Sequence, residues 1–540
     1  MQRRHFLAGV LGSALAPSAS RGNAAGAPGF DHGVASGDPL SDRVVLWTRL
    51  SGVSAEAVDV RWSVALDAAF ARTVAAGTAR TGLHRDYTVK VDATGLPVGQ
   101  ALFYRFEADT ADGRPAQSPI GRTRTLPVGH VDTARFAVAS CANHPYGYFH
   151  AYRDIAEQED LLAVVHLGDY LYEYGMGGYA TERAEALGRV PEPRGEAVTL
   201  ADLRARHAQY KRDPDLQALH AAHPMIAVWD DHEIANDAWR GGAQNHQAEE
   251  GDWAARRDAA LQAWLEWMPV RAGHRQADTT IYRQFRVGDL LTLIMLDTRL
   301  VGRDQQPDAV PGATRESIGA AMKDPARRLL GDAQEAWLRH ALREANGTWQ
   351  VLGQQVMLTP TLSPELEPLL DRSRDSMLSP KQLQYYIDMS RGNPPMLLDT
   401  WNGYPVARQQ FLTDLATLAK NPVVLSGDLH TSMAGNLFLP EQDAAVAVEL
   451  MTGSIASPGF AEYLPEAHPG AVRDATLALN PSLVYMETDR RGWLDVRFDH
   501  GRCDARWRLL DSVHGKAFRV SVDRHLRVQA GRVGDGLQPG

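Results

Sequence analysis

LLAVVHLGDYLYEYG, residues 161–175, joins an apolar run to Gly168-Asp169 and sets Tyr172 three residues after the aspartate. Leu161 to Val165, closed by turn chemistry, reads as a short buried strand. A Gly-Asp at the end of such a strand is often no more than a turn. Whether Asp169 and Tyr172 do chemistry depends on what else the chain brings beside them.

The same pattern recurs on either side. ARFAVAS (134–140), HPMIAVWDDHE (223–233), LLTLIMLDTR (290–299), WQVLGQQVM (349–357) and NPVVLSGDLH (421–430) are apolar strands that run into polar residues. Segments of helical spacing, such as YFHAYRDIAEQED (148–160), lie between them. This alternation predicts an α/β domain with its functional groups on the strand-end loops. The stretches from Tyr174 to Ala222 and from the 360s to the 410s read as helical insertions.

Upstream the grammar differs. VDVRWSVAL (58–66), YTVKVDATGL (87–96), ALFYRFEA (101–108) and IGRTRTLP (120–127) are short segments, most with period-two alternation, separated by turn residues. They predict a β-sandwich of about a hundred residues, with a fibronectin type III-like look to the pair around Ala101. HGVASGD (32–38) reads as a strand-turn signature of that sandwich. The expected organisation is 1–27 signal peptide, 28–128 β-sandwich, 133–515 catalytic domain, and 516–540 a tail that packs, frays or covers the site as a lid.

At 540 residues, two domains or one elaborated domain are expected. The 44% hydrophobic and 23% charged composition is that of a globular protein, and the net charge of −10 argues against a nucleic-acid or anionic-membrane surface. MQRRHFLAGVLGSALAPSAS places Arg3-Arg4 before the apolar run Phe6 to Ala16, followed by small residues. That is a twin-arginine export signal, too short to span a membrane at ~20 residues, and it predicts passage through the twin-arginine translocase to the periplasm or exterior. This route carries folded proteins, which suits a cofactor inserted before export. The two cysteines, Cys141 and Cys503, either form one long-range bridge or leave one as a thiolate for a metal.

Four strand-end clusters carry the functional argument: SCANH (140–144), GDYLY (168–172), WDDHE (229–233) and SGDLH (426–430). Any one of them is explained by a turn; four on separate strands are not. The chemistry they suit is displacement at phosphorus, in which cations orient and neutralise a phosphate and acidify a water. Thiolate and phenolate suit trivalent iron, carboxylate oxygens suit calcium or magnesium, and zinc alone would want more histidines than two.

FDHGVASGDPLSDRVVLWTR (30–49), SCANHPYGYFHAYRDIAEQEDLLAVVHLGDYLYEYG (140–175), WDDHEIANDAW (229–239), LDTR (296–299), WNGYPVARQQFL (401–412), LSGDLHTS (425–432) and NPSLVYMETDRRGW (480–493) together resemble the PhoD-type alkaline phosphatase family, in order and over nearly the whole chain. The resemblance implies a calcineurin-like metallophosphoesterase, an α/β (α+β) β-sandwich core flanked by helices, behind a small all-β domain. It implies Fe3+ and Ca2+ as cofactors, and hydrolysis of small phosphomonoesters and phosphodiesters by attack of a metal-bound hydroxide. Matched residue by residue, Cys141 resembles the iron-binding cysteine, Tyr172 the tyrosinate and Asp169 the carboxylate bridging iron and calcium. Asp231, Asp428 and His430 resemble further metal ligands, and His232 the histidine that contacts phosphate or leaving group. Other readings are a phospholipase D-like phosphodiesterase on lipid head groups and a degenerate secreted binding protein.

Around these residues, Ser140 is expected to orient its loop, and Glu233 to bind metal or to hold the ligands. Tyr170 and Tyr174 are expected to pack, and Asn236, Asp237 and Trp239 to shape their loop. Asp297 and Arg299 are expected to pair, with approach of Arg299 to phosphate as the alternative. Cys503 reads as structural, and the remaining lone histidines as surface residues.

Overall fold

The computed structural model describes residues 28–109, 115–271, 280–310 and 312–540. Two sheets face each other across the main core. In the seven-stranded sheet, Leu293, Val351, Val423 and Val448 are successive partners on four neighbouring strands, and all four side chains enter that core. One residue along each strand, Ile294, Leu352 and Val424 point the other way, under the helices Asp332–Glu344 and Pro405–Leu418. The period-two pleat thus divides near-continuous apolar strands between a sheet–sheet core and a helix-covered face.

Opposite lies a ten-stranded sheet. Its parallel centre is Thr133–Ala139, Ala163–His166 and Met225–Ala227, and the antiparallel hairpin Gly492–Asp499 and Arg502–Leu510 continues it. Val138, Val165 and Ile226, partners across that centre, share the core with the seven-stranded sheet. The helices predicted between Tyr174 and Ala222 include Leu200–Lys211 and Pro214–Ala222. Both open on a side-chain cap, Thr199 in a capping box with Asp202 and Asp213 ahead of Pro214.

The N-terminal segment differs from the separate sandwich expected for 28–128. Ala57–Ala65, Thr73–Gly82, Ala101–Ala108, Ala116–Gln117 and Gly121–Arg124 form a sheet of their own. Val34–Gly37, Arg43–Arg49 and Thr88–Thr94 instead extend the ten-stranded sheet of the catalytic part, through the parallel pairing of Gly37 with Met225. A distinct apolar cluster, including Val44, Leu46, Val60, Leu102 and Phe106, lies between the two. HGVASGD is the seam. A Cβ on Gly37 would stand 2.2 Å from the carbonyl oxygen of Pro269. Asp38, at φ 45°, accepts from Arg283 at 2.6 and 2.9 Å and from the Arg271 backbone N–H at 2.6 Å. The motif joins domains rather than marking an internal turn, a role that depends on partners more than 180 residues away.

The tail is not a lid over the site. Val520–Gln529 pairs along Arg502–Leu510 and Gln538–Pro539 pairs outside it, so residues 516–540 close the edge of the ten-stranded sheet. The lone histidines are not uniformly at the surface either: His32, His144, His166, His207, His220 and His223 are buried. His166 and His220 each meet a tyrosine hydroxyl at 2.8 Å, those of Tyr152 and Tyr170, and His207 stacks on Trp267. A neutral imidazole is amphipathic and packs well where one hydrogen bond is supplied, which composition cannot reveal. Cys141 and Cys503 are both free and buried, so no bridge links them. The expected signal peptide, 1–27, lies outside the described residues. Among the described residues no helix is long and apolar enough to cross a membrane.

Candidate metal centre

The parallel strands of both sheets deliver their C-terminal ends to one place, as open α/β sheets do. Thr133–Ala139 leads to Cys141, Ala163–His166 to Asp169, Met225–Ala227 to Asp231 and Pro422–Ser426 to Asp428 and His430. Backbone bonds knit the loops together, from Cys141 N to Gly168 O at 3.2 Å and from Ala142 N to Asp169 O at 2.9 Å. Glu233 clamps two of them, its carboxylate accepting from the backbone N–H groups of Asp169, Tyr170 and Asp230 at 2.8–3.1 Å. It holds ligand loops together, the second of the two roles expected for it.

The glycines of the two Gly-Asp motifs are required by this convergence. Gly168 has φ 105°, and a Cβ there would stand 2.5 Å from the Asp230 backbone nitrogen. A Cβ on Gly427 would meet Ser140 Oγ at 2.5 Å. Left-handed backbone also occurs at four of the ligand-type residues. Cys141, Asp169, Asp428 and His430 all have positive φ, between 53° and 71°. A left-handed non-glycine residue costs on the order of 1–3 kcal/mol and persists where surrounding structure enforces it, as at functional sites.

All seven residues singled out from the sequence meet here. Donor atoms of Cys141, Asp169 and His430 lie within 4.8 Å of one another, as do those of Asp169, Asp231 and His232 and those of Asp230, Asp231 and Asp428. Tyr172 Oη is 3.0 Å from Asp169 Oδ2, 2.9 Å from His430 Nε2 and 2.9 Å from Ser457 Oγ. His430 donates through Nδ1 to the Pro458 carbonyl at 2.7 Å, which leaves Nε2 as the lone-pair nitrogen facing the tyrosine. Burial brings His430 down to about 3 and keeps it neutral. Cys141 Sγ lies 3.3 Å from Ser140 Oγ.

The electrostatics call for cations. Burial, with neighbouring carboxylates adding to it, pushes Asp169, Asp428 and the Cys141 thiol well above their ordinary values. Asp169 Oδ1 and Asp230 Oδ2 are buried with no hydrogen-bond partner. Orphaned carboxylate oxygens among packed acids and a thiol fit metal ions, which supply the missing positive charge. His232 is the counterpoint. Burial opposes its charge, but Asp231, Glu173 and Asp169 outweigh this and hold it well above the ordinary range.

Two residues, Glu173 and Asp399, had no assigned part in the sequence reading. Glu173, wholly buried, accepts from His232 Nδ1 at 2.8 Å and from Asn236 N and Asn245 Nδ2 at 2.8 and 2.9 Å. It stands one residue after Tyr172, where the motif itself points. Asp237, on the loop it was expected to shape, and Asp399 bring carboxylates within 4.8 Å of Asp231. Asp399 precedes the WNGYP segment on a loop with no strand-end pattern, which hid it. Arg299 departs from the expected pairing. Asp297 accepts instead from the backbone N–H groups of Arg299 and Leu300 and from Trp229 Nε1. The guanidinium faces Asp399 at 2.6 Å and Asp428 at 3.0 Å, and also bonds Asp230, which places it inside the acidic cluster.

Two helix-flanked sheets with acids, a thiol, a phenol and imidazoles at their strand ends define a metallophosphoesterase. The PhoD-like phosphatase family model matches residues 136–507, and that of the PhoD-like phosphatase N-terminal domain matches 14–127. The chain belongs to the PhoD-like phosphatase family and is a metal-dependent phosphoric ester hydrolase of the alkaline phosphatase D type. It is 33% identical to alkaline phosphatase D of Bacillus subtilis (strain 168) over 560 residues, covering 98% of this chain and 88% of that one. A solved structure of PhoD matches with a TM-score of 0.80 at 32% identity, over 97% of this chain and 93% of the other. A purple acid phosphatase from yellow lupin (Lupinus luteus) seeds matches with a TM-score of 0.52 at 10% identity, over 88% and 71%, a likeness of fold alone. Neither the lipid head-group phosphodiesterase nor the degenerate binding protein is favoured.

Proposed function

We propose that the chain is an exported phosphomonoesterase and phosphodiesterase built on an iron(III)–calcium centre. The observation that carries this reading is Asp169, whose carboxylate belongs both to the group with Cys141 and His430 and to the group with Asp231 and His232. A carboxylate shared between a set that holds a thiol and a set that holds a second carboxylate suits a bridge between unlike cations. Cys141, Tyr172 and His430 would hold Fe3+ with Asp169, and Asp169, Asp231 and Asp428 would hold Ca2+. Bound there, the cations would neutralise the phosphate and acidify the attacking water.

The protein's own groups do the rest. Ser457 and His430 fix the Tyr172 phenol, and Pro458 fixes the His430 tautomer. Glu173 occupies His232 Nδ1 and leaves Nε2 to donate to a phosphate oxygen or to the departing oxygen. Arg3-Arg4 and the apolar run after it support export by the twin-arginine translocase to the periplasm or exterior.

Elemental analysis of the exported protein, purified without chelators, tests the centre. Iron together with calcium is expected in the wild type, and Cys141→Ala should lose iron and turnover while remaining folded. A Cys141→Ala protein with full iron and full turnover would remove Cys141 from the centre.

A further inference from the structure

The metal pocket, about 240 Å3, does not end at its carboxylates. Tyr179, Asn236, Leu397, Phe460 and Tyr463 line it and equally line an adjoining chamber of about 450 Å3. The two spaces are chemically opposite. The first holds Asp169, Asp231, Asp237, Asp399 and Asp428, whereas among the described residues no acid, lysine, arginine or histidine lines the second. Its floor is Leu366, Leu464, Val472 and Met486, all buried.

The partition between the spaces is fixed from the metal side. Tyr179 and Tyr463 stack at 12° with ring centroids 6.5 Å apart, and their hydroxyls bond each other. Tyr179 Oη also reaches His430 Nδ1 at 3.3 Å. The wall of the chamber is therefore positioned by a residue of the metal cluster.

A phosphate ester is divided in the same way, into an anionic phosphoryl group and an organic group. We propose that the chamber receives an uncharged alkyl or aryl group of the substrate. The enzyme then selects phosphate esters carrying an apolar arm over polyanions whose next charged group would fall in the same space. This rests on the reacting phosphoryl group sitting at the Asp169 cluster. An anion in the chamber would meet hydroxyl and amide groups but no cationic side chain to offset its desolvation. Each methylene buried there favours the ester by about fourfold.

The test uses the metal-loaded, full-length enzyme and 4-nitrophenyl phosphodiesters whose second arm is methyl, butyl, hexyl or carboxypentyl. In every case water attacks phosphorus, the bond to the nitrophenyl oxygen breaks, and 4-nitrophenolate leaves with the alkyl phosphate as the other product. The bond broken and the leaving group are thus constant, and the ratio of kcat/KM between arms is the readout. The expected result is a rise of tenfold or more from methyl to hexyl, with carboxypentyl at or below methyl. Leu378→Lys, on the half-buried wall, and Tyr386→Lys, at the exposed rim, should each raise the carboxypentyl-to-hexyl ratio at least tenfold. A flat series, or a ratio unmoved in both variants, would overturn the chamber assignment while leaving the metal centre standing. Failure to hydrolyse any of the esters would overturn the placement of the phosphoryl group, and the chamber with it.

Discussion

Glu173 Oε2 lies 2.8 Å from His232 Nδ1, and the glutamate has no exposed surface, so one buried carboxylate both orients the imidazole and sustains its charge. Glu173→Gln keeps the shape and removes the charge. The expected outcome is a loss of kcat/KM of about 10–100-fold with metal content unchanged. Removal of the negative neighbour lowers the affinity of His232 for its proton, so the alkaline limb of the pH–rate profile should move down. A parallel fall at all pH values would make Glu173 merely structural.

Asp169 should couple the cations to stability. Iron and calcium should raise the Tm of the wild type, by an amount that grows with metal concentration and corresponds to about 2.7 kcal/mol at a hundredfold excess over Kd. Asp169→Asn should abolish most of that rise. Without metal, the same variant should be at least as stable as wild type, because it removes a carboxylate that burial pushes well above its ordinary value. Differential scanning calorimetry with and without chelator reads both effects.

Gly168→Ala should be costly. The residue is at φ 105° and its added Cβ would stand 2.4 Å from Asp230 Cβ and 2.5 Å from Asp230 N, where backbone cannot yield. A destabilisation of about 2–5 kcal/mol is expected from the left-handed backbone and the overpacking together. Gly251→Ala gives the comparison, since it shares a positive φ, 98°, with open space around it. Denaturant midpoints should separate the two variants.

The buried histidines set an acid limit. Burial, followed by the charge of Lys211, holds His207 at about 3 against 6.5 in the unfolded chain. Between those values the unfolded chain binds a proton that the folded chain refuses. Stability is therefore full above pH 6.5 and falls as pH drops towards 3, by about 1.4 kcal/mol per pH unit. His207→Gln should make the dependence of unfolding free energy on pH shallower by one proton between pH 4 and 6. An unchanged slope would mean that His207 protonates in the folded protein.

Much of this was legible in the chain. The apolar strands, their polar ends and the seven site residues were readable because a buried parallel strand needs consecutive apolar residues and because ligand-type residues clustered at fixed offsets after them. The motif order from residue 30 to residue 493 also pointed to the family. Glu173 was missed because a glutamate beside three tyrosines has no local signature of burial. Arg299 was misplaced because its nearest acid in sequence, Asp297, is engaged by backbone N–H groups and Trp229. The N-terminal sandwich was found as strands but not as an extension of the core sheet, since period-two alternation says which face a residue takes and not which edge its strand joins.

The sequence by itself determined which segments become strands, which residue types stand at their ends, and therefore the class of chemistry. Tertiary structure alone decided that Arg299 enters the acidic cluster, that the tail seals a sheet edge, and that an uncharged chamber adjoins the acidic pocket. Those features arise between residues hundreds of positions apart, such as Tyr172 with His430 and Tyr179 with Tyr463. Periodicity and capping act over a few residues, whereas burial, pairing partners and proton affinity are fixed only when distant surfaces exclude water from each other.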